Sequence, residues 1–392
     1  MSLPDIPLEF VIFGVTLLGV ALFHRHTLAV ALTGLIAAVL LRYVRTSSLA
    51  DIVGHFENEW VILTNLLLLL LGFAILSNQF EQSRLPEAVP SRLPSGWMGG
   101  LSLLAIVFAL SAFLDNIAAA VIGGVMARHV YRHGVTIAFL AAIVSAANAG
   151  GAGSVIGDTT TTMMWISGVS PLDLLPAFIG GLGAFAVFGP LASIAQQKRS
   201  PLAATSVSDH HIDWLRVAIV LFALVILIAT NVTATSIFPG LAELAPVLGL
   251  GLWAALLVSA PLRMPDWSIL REAFKGALFL ISLVALASLM PVDRLPLPSV
   301  ASTLGLGFLS AVFDNIPLTA LALNQGGYDW ALLAYAVGFG GSIVWFGSSA
   351  GVALTNLYPE GRSVWDWLRE GWFVPVSYIV GFLLMVAAGA IS

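Results

Sequence analysis

Long apolar runs, separated by short polar segments, fill most of the chain. A helix that crosses a membrane needs about 20 consecutive, mostly apolar residues. The pattern therefore predicts an all-α polytopic membrane protein with ten membrane-spanning helices. The predicted spans lie near residues 6–23, 27–44, 60–78, 135–168, 173–195, 215–237, 242–260, 274–291, 330–356 and 371–391.

Two further apolar stretches, 97–127 and 299–323, contain the same polar tripeptide. Asp-Asn-Ile occurs at 115–117 in the first stretch and at 314–316 in the second. A charged side chain at the centre of a membrane helix costs about 2.5–3.5 kcal/mol on insertion scales. A chain that bears this cost twice, in matching contexts, is expected to use both carboxylates and to consist of two homologous halves. Each stretch is either one more span or a re-entrant hairpin.

The loop charges favour the hairpins. If both stretches are re-entrant, thirteen of the sixteen Lys and Arg residues fall on one side of the membrane. If both are full spans, the division is only ten against six. Because Lys and Arg are enriched in cytoplasmic loops, the first arrangement is preferred, and it places both termini on the periplasmic or extracellular side. The N-terminal segment lacks the basic region of a cleaved signal peptide, so the first span is expected to be retained.

The hairpin arrangement predicts two repeats of opposite topology. Repeat 1 covers 1–195, a cytoplasmic linker covers 196–214, and repeat 2 covers 215–392. Each repeat has five spans and one re-entrant hairpin, and an odd number of spans inverts the second repeat. Inverted repeats of this kind are found in many secondary transporters.

A glycine-rich segment follows each tripeptide. Residues 148–162 read Asn-Ala-Gly-Gly-Ala-Gly-Ser-Val-Ile-Gly-Asp-Thr-Thr-Thr-Thr, and residues 338–349 read Gly-Phe-Gly-Gly-Ser-Ile-Val-Trp-Phe-Gly-Ser-Ser. The two segments align through Gly150-Gly151 with Gly340-Gly341 and through Gly157-Asp158 with Gly347-Ser348. Irregular backbone at membrane depth is tolerated only where it lines a cavity or is buried in protein. We therefore predict discontinuous helices within 135–168 and 330–356.

Composition and charge agree with a membrane protein and exclude several other classes. The chain is 59% hydrophobic and only 9% charged, against about 25% charged residues in ordinary soluble domains. Its net charge of −5 argues against a nucleic-acid partner, and the absence of cysteine excludes disulfides and thiolate metal sites. The spacing of its polar residues matches neither a nucleophile–base pair nor a metal hydrolase, so neither an enzyme nor a cofactor is expected.

The polar residues predicted at membrane depth favour a cation as the transported species. They include Asp115, Asp158 and Asp314 but no Lys or Arg. Unwound backbone carbonyls and side-chain oxygens suit sodium and lithium, which are hard cations like calcium and magnesium. A helix N-terminus stabilises an ionised Asp, whereas burial favours the protonated form. An aspartate between these two effects binds either a proton or a metal cation, which is the minimal chemistry of a cation/proton exchanger.

These segments resemble the signatures of a known transporter family. Phe-Leu-Asp-Asn-Ile at 113–117, Asn-Ala-Gly-Gly-Ala at 148–152, the run Ile156–Ile166 and Phe-Asp-Asn-Ile-Pro-Leu-Thr at 313–319 are similar to those of NhaD-type sodium/proton antiporters. That family belongs to a wider ion-transporter superfamily, which also contains citrate and dicarboxylate carriers and arsenite exporters. The resemblance covers residues from about 100 to 355.

The resemblance implies exchange of sodium or lithium against protons by a homodimer with a scaffold and a transport domain. Residues and resemblance together predict a multi-pass protein of the bacterial inner membrane whose partners are monovalent cations, protons and the lipid bilayer. The predicted cation- and proton-binding residues are Asp115, Asn116, Asn148, Asp158, Thr159, Asp314, Asn315, Ser348 and Ser349. The predicted metal ligands among them are Asp115, Asn116, Asp158, Asp314 and Asn315.

Two other functions stay open at this point. The first is a sodium- or proton-coupled carrier of a small anion, such as a carboxylate or arsenite, in which the same residues bind the coupling ion. The basic or Ser-Asn-Thr-type anion site of such a carrier is not found in the sequence. The second is a passive channel or a structural membrane subunit, which paired dead-end hairpins argue against.

Two expectations concern residues outside this constellation. Glu57, Glu59 and Asn65, near the outer end of the third span, are expected to be solvated. The segments that begin with Asp266-Trp267 and Asp366-Trp367 are expected to be interfacial helices with Trp anchors.

Overall fold

Helices make up the regular structure of the chain in a computed structural model that describes residues 7–23, 26–85, 93–131, 134–202, 211–234, 238 and 241–389. No strand occurs among these residues. The α-helices are α1 (Leu8–Leu22), α2 (Thr27–Thr46), α3 (Leu49–Gln82), α4 (Trp97–Ser111), α5 (Asn116–Val130), α6 (Ile137–Gly151), α7 (Thr159–Ile166), α8 (Pro171–Leu174), α9 (Ala177–Arg199), α10 (Trp214–Val232), α11 (Leu241–Leu244), α12 (Val247–Ser259), α13 (Leu270–Ser288), α14 (Val300–Ser310), α15 (Asn315–Gln325), α16 (Trp330–Gly340), α17 (Ser349–Leu357), α18 (Val364–Glu370) and α19 (Phe373–Gly389). Short 3-10 helices lie at Trp267–Ile269, Val292–Arg294 and Pro359–Arg362.

Several of these helices can cross a membrane. Within the described residues, four helical segments are long and apolar enough to do so: α2, α3, α10 and the segment Pro171–Arg199. A fifth candidate is the pair α18 and α19, which bends by 60°. With the seven shorter apolar helices of the described chain, they confirm a polytopic, all-helical membrane protein. The number of ten crossings stays a prediction.

The helices pack into two compact units, and each unit contains segments from both halves of the sequence. The first unit consists of Met1–Phe80, Trp214–Leu295 and Ala320–Gln325, and the second consists of Glu81–Asp213, Pro296–Thr319 and Gly326–Ser392. Packing into two units does not test whether residues 1–195 and 215–392 are inverted repeats, and the repeats stay a prediction. Both chain termini and residues 203–210 of the predicted linker lie outside the described residues.

In the first unit, side-chain hydrogen bonds join the long helix α3 to α12. The amide oxygen of Asn65 accepts a hydrogen bond of 3.0 Å from the backbone N–H of Gly249. The indole N–H of Trp253 donates to the carbonyl oxygen of Leu68 at 2.9 Å. Asn65 is therefore buried and paired, and the expectation that it is solvated is wrong. Glu57 is exposed, as expected.

Helix α3 is much longer than the span predicted at 60–78. It begins at Leu49 and continues without interruption for 34 residues. The sequence of α3 contains no proline, and charged residues such as Glu57 and Glu59 have good helix propensity. Polar residues end a membrane span but not a helix, so the hydropathy pattern underestimated its length.

In the second unit, α6 and α16 form the core. Every residue from Ala138 to Gly151 in α6 and from Ala331 to Gly340 in α16 is buried. Helices α4, α5 and α9 pack against α6, while α14, α9 and α19 pack against α16. The all-round apolar sequences of α6 and α16 are those of helices that are enclosed by other helices.

One of the two predicted Trp anchors lies inside this unit. Trp367 is completely buried in α18, and its indole N–H donates to the carbonyl oxygen of Ser342 at 3.3 Å. The expectation that Trp367 anchors the chain at the lipid surface is therefore wrong. Trp365, two residues earlier, is 74% exposed. The Asp-Trp dipeptide signals a helix start near the interface, but the sequence alone does not show which Trp faces outward.

Replacing Trp367 with Ala is expected to destabilise the protein by about 3–5 kcal/mol, because the change leaves a large cavity in the second unit. Trp365→Ala is the matched control, since its side chain is mostly exposed. Thermal unfolding of the purified protein in detergent measures both effects. Equal melting temperatures for the two variants would contradict the burial of Trp367.

Candidate functional site

All nine predicted site residues lie in the second unit, at four places where helices are interrupted. Residues 112–115 separate α4 from α5, and residues 152–158 separate α6 from α7. Residues 311–314 separate α14 from α15, and residues 341–348 separate α16 from α17. The carboxylates, amides and hydroxyls nominated from the sequence lie in or beside these interruptions.

In each half of the sequence, a serine hydroxyl at one interruption binds a backbone carbonyl of the helix that leads into the other interruption. The hydroxyl of Ser111, at the end of α4, donates to the carbonyl oxygen of Ala147 at 2.5 Å. The hydroxyl of Ser310, at the end of α14, donates to the carbonyl oxygen of Val337 at 2.7 Å. In both halves of the sequence, the same type of hydrogen bond thus ties the end of one helix to the helix that leads into the glycine-rich segment.

Close backbone contacts also recur in the two halves, and they explain the glycine pairs. A Cβ atom at Gly150 would overlap the carbonyl oxygen of Phe108. A Cβ atom at Gly340 would overlap the carbonyl oxygen of Gly307. The obstacle is backbone in both places, so it has little freedom to move aside. These two positions therefore require glycine for the close approach of α4 to α6 and of α14 to α16.

Asn148 is the polar centre of the site. It is completely buried, and its oxygen Oδ1 accepts a hydrogen bond of 3.1 Å from the side-chain amide of Asn116. Its nitrogen Nδ2 donates to the hydroxyl oxygens of Ser342 at 2.9 Å and of Ser348 at 3.1 Å. One side chain thus connects the start of α5 to both ends of the segment 341–348.

Asp158 has one paired and one unpaired carboxylate oxygen. It is the N-cap of α7, where Oδ1 accepts a hydrogen bond of 3.2 Å from the backbone N–H of Thr160. The residue is only 1% exposed. Its other oxygen, Oδ2, is buried and has no hydrogen-bond partner within the described structure. A buried carboxylate oxygen without a donor is costly unless a cation, a proton or a water molecule binds it.

Two hydroxyls of the threonine run after Asp158 bind backbone carbonyls. The hydroxyl of Thr161 donates to the carbonyl oxygen of Ser154 at 2.5 Å, and that of Thr162 donates to the carbonyl oxygen of Val155 at 2.7 Å. The hydroxyl of Thr160 is buried without a partner among the described residues. Thr159, the residue nominated from the sequence, is also buried. Two of the four hydroxyls therefore stabilise the interrupted segment, as expected for Thr near a free carbonyl.

The two tripeptide carboxylates differ from Asp158 in exposure. Asp115 and Asp314 are both partly exposed. Oδ2 of Asp314 accepts a hydrogen bond of 3.1 Å from Ser349, and Oδ1 accepts one of 3.1 Å from the backbone N–H of Ile316. Oδ1 of Asp115 is buried without a hydrogen-bond partner in the described part of the chain.

Several buried oxygens of this region have no hydrogen-bond partner. Among the described residues, no group of three or more Asp, Glu or His side chains is arranged to hold a metal ion. Buried oxygens without a partner in the described structure include those of Asp115, Ser145, Asp158 and Thr160. Carboxylate and hydroxyl oxygens are the ligands that hard cations prefer.

Sequence reasoning missed three residues of this constellation. Ser342 binds Asn148, and its position could be found because it follows the second glycine pair directly. Thr160 lies beside the nominated Thr159, but the sequence does not show which hydroxyl of the run stays free. The hydroxyl of Ser145 is buried without a partner within the described residues. Ser145 lies three residues before Asn148 and so shares its face of α6.

A family profile described as citrate transporter matches residues 10–340, which is most of the chain. The chain belongs to this family. It is also 28% identical over 328 residues to sodium/proton antiporter 1 of Arabidopsis thaliana, a match that covers 72% of this chain and 54% of that protein. The chain thus matches about half the length of this relative.

Two bacterial relatives are matched over more of their length. The chain is 27% identical to the Na⁺/H⁺ antiporter NhaD of Vibrio parahaemolyticus, over 76% of this chain and 84% of the relative. It is also 27% identical to NhaD of Vibrio cholerae, over 87% of this chain and 82% of the relative. The resemblance to NhaD-type antiporters seen in the sequence motifs is therefore confirmed, as a likeness to a transporter family within the ion-transporter superfamily.

Proposed function

We propose that this membrane protein is a secondary-active sodium(lithium)/proton antiporter whose cation and proton share the carboxylate of Asp158. The observation that carries the proposal is the buried oxygen Oδ2 of Asp158, which has no partner in the described structure. It lies at the N-terminus of α7, inside the second unit. The names of the relatives, which are sodium/proton antiporters, agree with this chemistry.

The exchange follows from charge balance at one oxygen. A deprotonated Asp158 binds a sodium or lithium ion with help from neutral oxygens, and a protonated Asp158 does not. Either ligand removes the negative charge, which lowers the cost of moving the site through an apolar environment. Without a ligand, the carboxylate keeps its negative charge, and moving that charge through an apolar environment has the full energetic cost. The site therefore moves across the membrane only when a cation or a proton is bound. Cation and proton therefore compete, and each is moved in exchange for the other.

The proposal includes the finer architecture predicted from the sequence. Helices α4 and α5 each contain 15 residues, or about 22 Å at 1.5 Å per residue, and they contact each other. The hydrocarbon core is about 30 Å thick, so these helices suit a re-entrant hairpin better than two spans. We place the protein in a bacterial inner membrane as a homodimer of two inverted repeats, with its termini on the outer side.

The alternative is a coupled carrier of a small anion, which the description of the matched family favours. An anion carrier normally presents cationic side chains to its substrate. The interrupted segments contain three aspartates and no Lys or Arg. This charge pattern supports a cation as the cargo, and it supports the antiporter over the anion carrier.

The test uses purified protein in liposomes that contain a pH-sensitive dye and an acidic interior. Sodium, lithium, potassium or choline is added outside, followed in separate samples by citrate and other carboxylates. We expect sodium and lithium to alkalinise the interior, because protons leave in exchange, and choline to have no effect. Uptake of a carboxylate without any response to sodium or lithium alone would replace the antiporter by the anion carrier.

A further inference from the structure

Helix α18 lies at the surface of the second unit and buries one large side chain in it. Trp365 is mostly exposed, whereas Trp367 is completely buried. Ser363 begins the helix, because its hydroxyl oxygen accepts a hydrogen bond of 3.2 Å from the backbone N–H of Asp366. A buried indole N–H usually has a hydrogen-bond partner. The partner of Trp367 therefore shows which part of the unit this helix reaches.

The partner of Trp367 is the backbone of the segment 341–348. The indole N–H donates to the carbonyl oxygen of Ser342 at 3.3 Å. Ser342 is completely buried between α16 and α17. The hydroxyl oxygen of the same residue accepts a hydrogen bond of 2.9 Å from Nδ2 of Asn148. Ser342 is thus held from two sides, through its carbonyl by α18 and through its hydroxyl by α6.

Helix α18 also packs against α6, the helix that contains Asn148. A Cβ atom at Gly371, the C-cap of α18, would lie 3.1 Å from the Cβ atom of Ala141 in α6. The helix therefore contacts both elements that meet at the hydrogen bond between Ser342 and Asn148. A helix with these two contacts sets the position of the segment 341–348 relative to α6.

The carboxylate of Asp158 lies beside the helix that leads into this segment. A Cβ atom at Gly338, in the last turn of α16, would lie 3.1 Å from Oδ2 of Asp158. Gly338 precedes Ser342 by four residues. A displacement of the segment 341–348 is therefore transmitted to the surroundings of this carboxylate. Misplacement by about 1 Å at a binding site has a large effect on function, even when its cause lies outside the site.

We propose that Trp367 is a positioning residue, whose indole N–H holds the carbonyl group of Ser342 and thereby keeps the Ser342 hydroxyl against Asn148. This inference rests on the proposed function and adds to it a residue outside the predicted ligand set. Without the N–H, the segment 341–348 gains freedom, and binding of sodium at Asp158 has to order it again. Trp367 therefore acts on the affinity for the cation, which changes KM and leaves kcat nearly unchanged.

The experiment replaces Trp367 with Phe, which keeps an aromatic ring in the buried space and removes the N–H. In liposomes, the KM for sodium is expected to rise about fivefold, the factor for the loss of one hydrogen bond. Tyr378→Phe is the matched control. Tyr378 is completely buried, and its hydroxyl donates to the carbonyl oxygen of Leu304 at 2.9 Å, within α14 and away from the interruptions. This control should lose similar stability and keep the native KM.

A double-mutant cycle shows whether Trp367 acts through Ser342. Ser342→Ala removes the hydroxyl that binds Asn148 and leaves the carbonyl in place, so it should also raise the KM for sodium. In the Ser342→Ala protein, Trp367→Phe should add little further increase, because the group that Trp367 positions is already absent. A merely structural role would lower the melting temperature and leave the KM unchanged. Independent, multiplicative effects of the two changes on the KM would contradict the proposed route.

A second replacement covers the case in which Trp367→Phe does not fold. Benzothienylalanine at position 367 keeps the shape of the indole and has sulfur in place of the N–H, so it should raise the KM for sodium by the same factor. Hydrogen exchange of the backbone N–H groups in 341–348, measured by mass spectrometry, reports on the contact without transport. We expect this exchange to be several-fold faster with either replacement than in the Tyr378→Phe protein.

The possible results separate the inference from the proposed function. If the native protein exchanges neither sodium nor lithium, the proposed function fails, and the role of Trp367 in cation affinity fails with it. If the native protein exchanges sodium and the folded variant at position 367 keeps the native KM, the inference alone is overturned. Unchanged hydrogen exchange in 341–348 would also overturn it.

Discussion

Replacement of Asp158 by Asn is expected to abolish sodium- and lithium-driven proton exchange while the protein stays folded. Asn removes the negative charge that a cation needs, and it cannot exchange a proton near neutral pH. The fold should survive because Asn is as good an N-cap as Asp, so the hydrogen bond from Thr160 can be kept. Dye-loaded liposomes measure the exchange, and size-exclusion chromatography with thermal unfolding measures the fold.

Asp329 offers a matched control for this experiment. It is the N-cap of α16 in the same unit, and it accepts a hydrogen bond of 3.0 Å from the backbone N–H of Leu332. It is exposed and lies away from the interruptions. Asp329→Asn should therefore keep the native exchange rate. Undiminished exchange by the Asp158→Asn protein would contradict the assignment of this carboxylate as the shared site.

The second large effect is expected from Asn148→Ala. This change deletes three side-chain hydrogen bonds and leaves the amide of Asn116 and the hydroxyls of Ser342 and Ser348 without this partner. Buried polar groups left unpaired cost about 1–3 kcal/mol each, and less where membrane segments find other partners. We therefore expect a loss of roughly 2–4 kcal/mol in stability, together with a strong decrease of exchange.

Asn356→Ala is the comparison for Asn148→Ala. Asn356 is exposed in α17, where it accepts a hydrogen bond of 2.6 Å from Arg362, so its loss should change stability little. Thermal unfolding in detergent compares the two variants. If Asn148→Ala unfolds at the same temperature as Asn356→Ala, Asn148 does not connect the interrupted segments as described.

Much of the site was predictable because it rests on local sequence signals. Glycine pairs and hydroxyl residues inside apolar runs break helices at positions that one sequence can show. The duplication of Asp-Asn-Ile pointed to two related segments, and the structure places interruptions beside both copies. Asp158 stood out because a carboxylate within a glycine-rich membrane segment has no simple packing role.

The remaining features depend on contacts between segments that are distant in sequence. Asn148 and Ser348 are 200 residues apart, and no local pattern shows that their side chains meet. The same reason explains Asn65, which is paired with the backbone of Gly249, and Trp367, which is enclosed by the second unit. A hydropathy pattern indicates that a residue lies in or near the membrane, but it does not show whether protein or lipid surrounds it.

The most direct test of the shared carboxylate is the release of protons when sodium binds. Purified protein in weakly buffered detergent solution receives sodium chloride, lithium chloride or choline chloride, and a pH-sensitive dye reports the protons that are set free. The account predicts proton release with sodium and lithium, none with choline, and none from the Asp158→Asn protein. Sodium binding without proton release, or equal release from the Asp158→Asn protein, would contradict it.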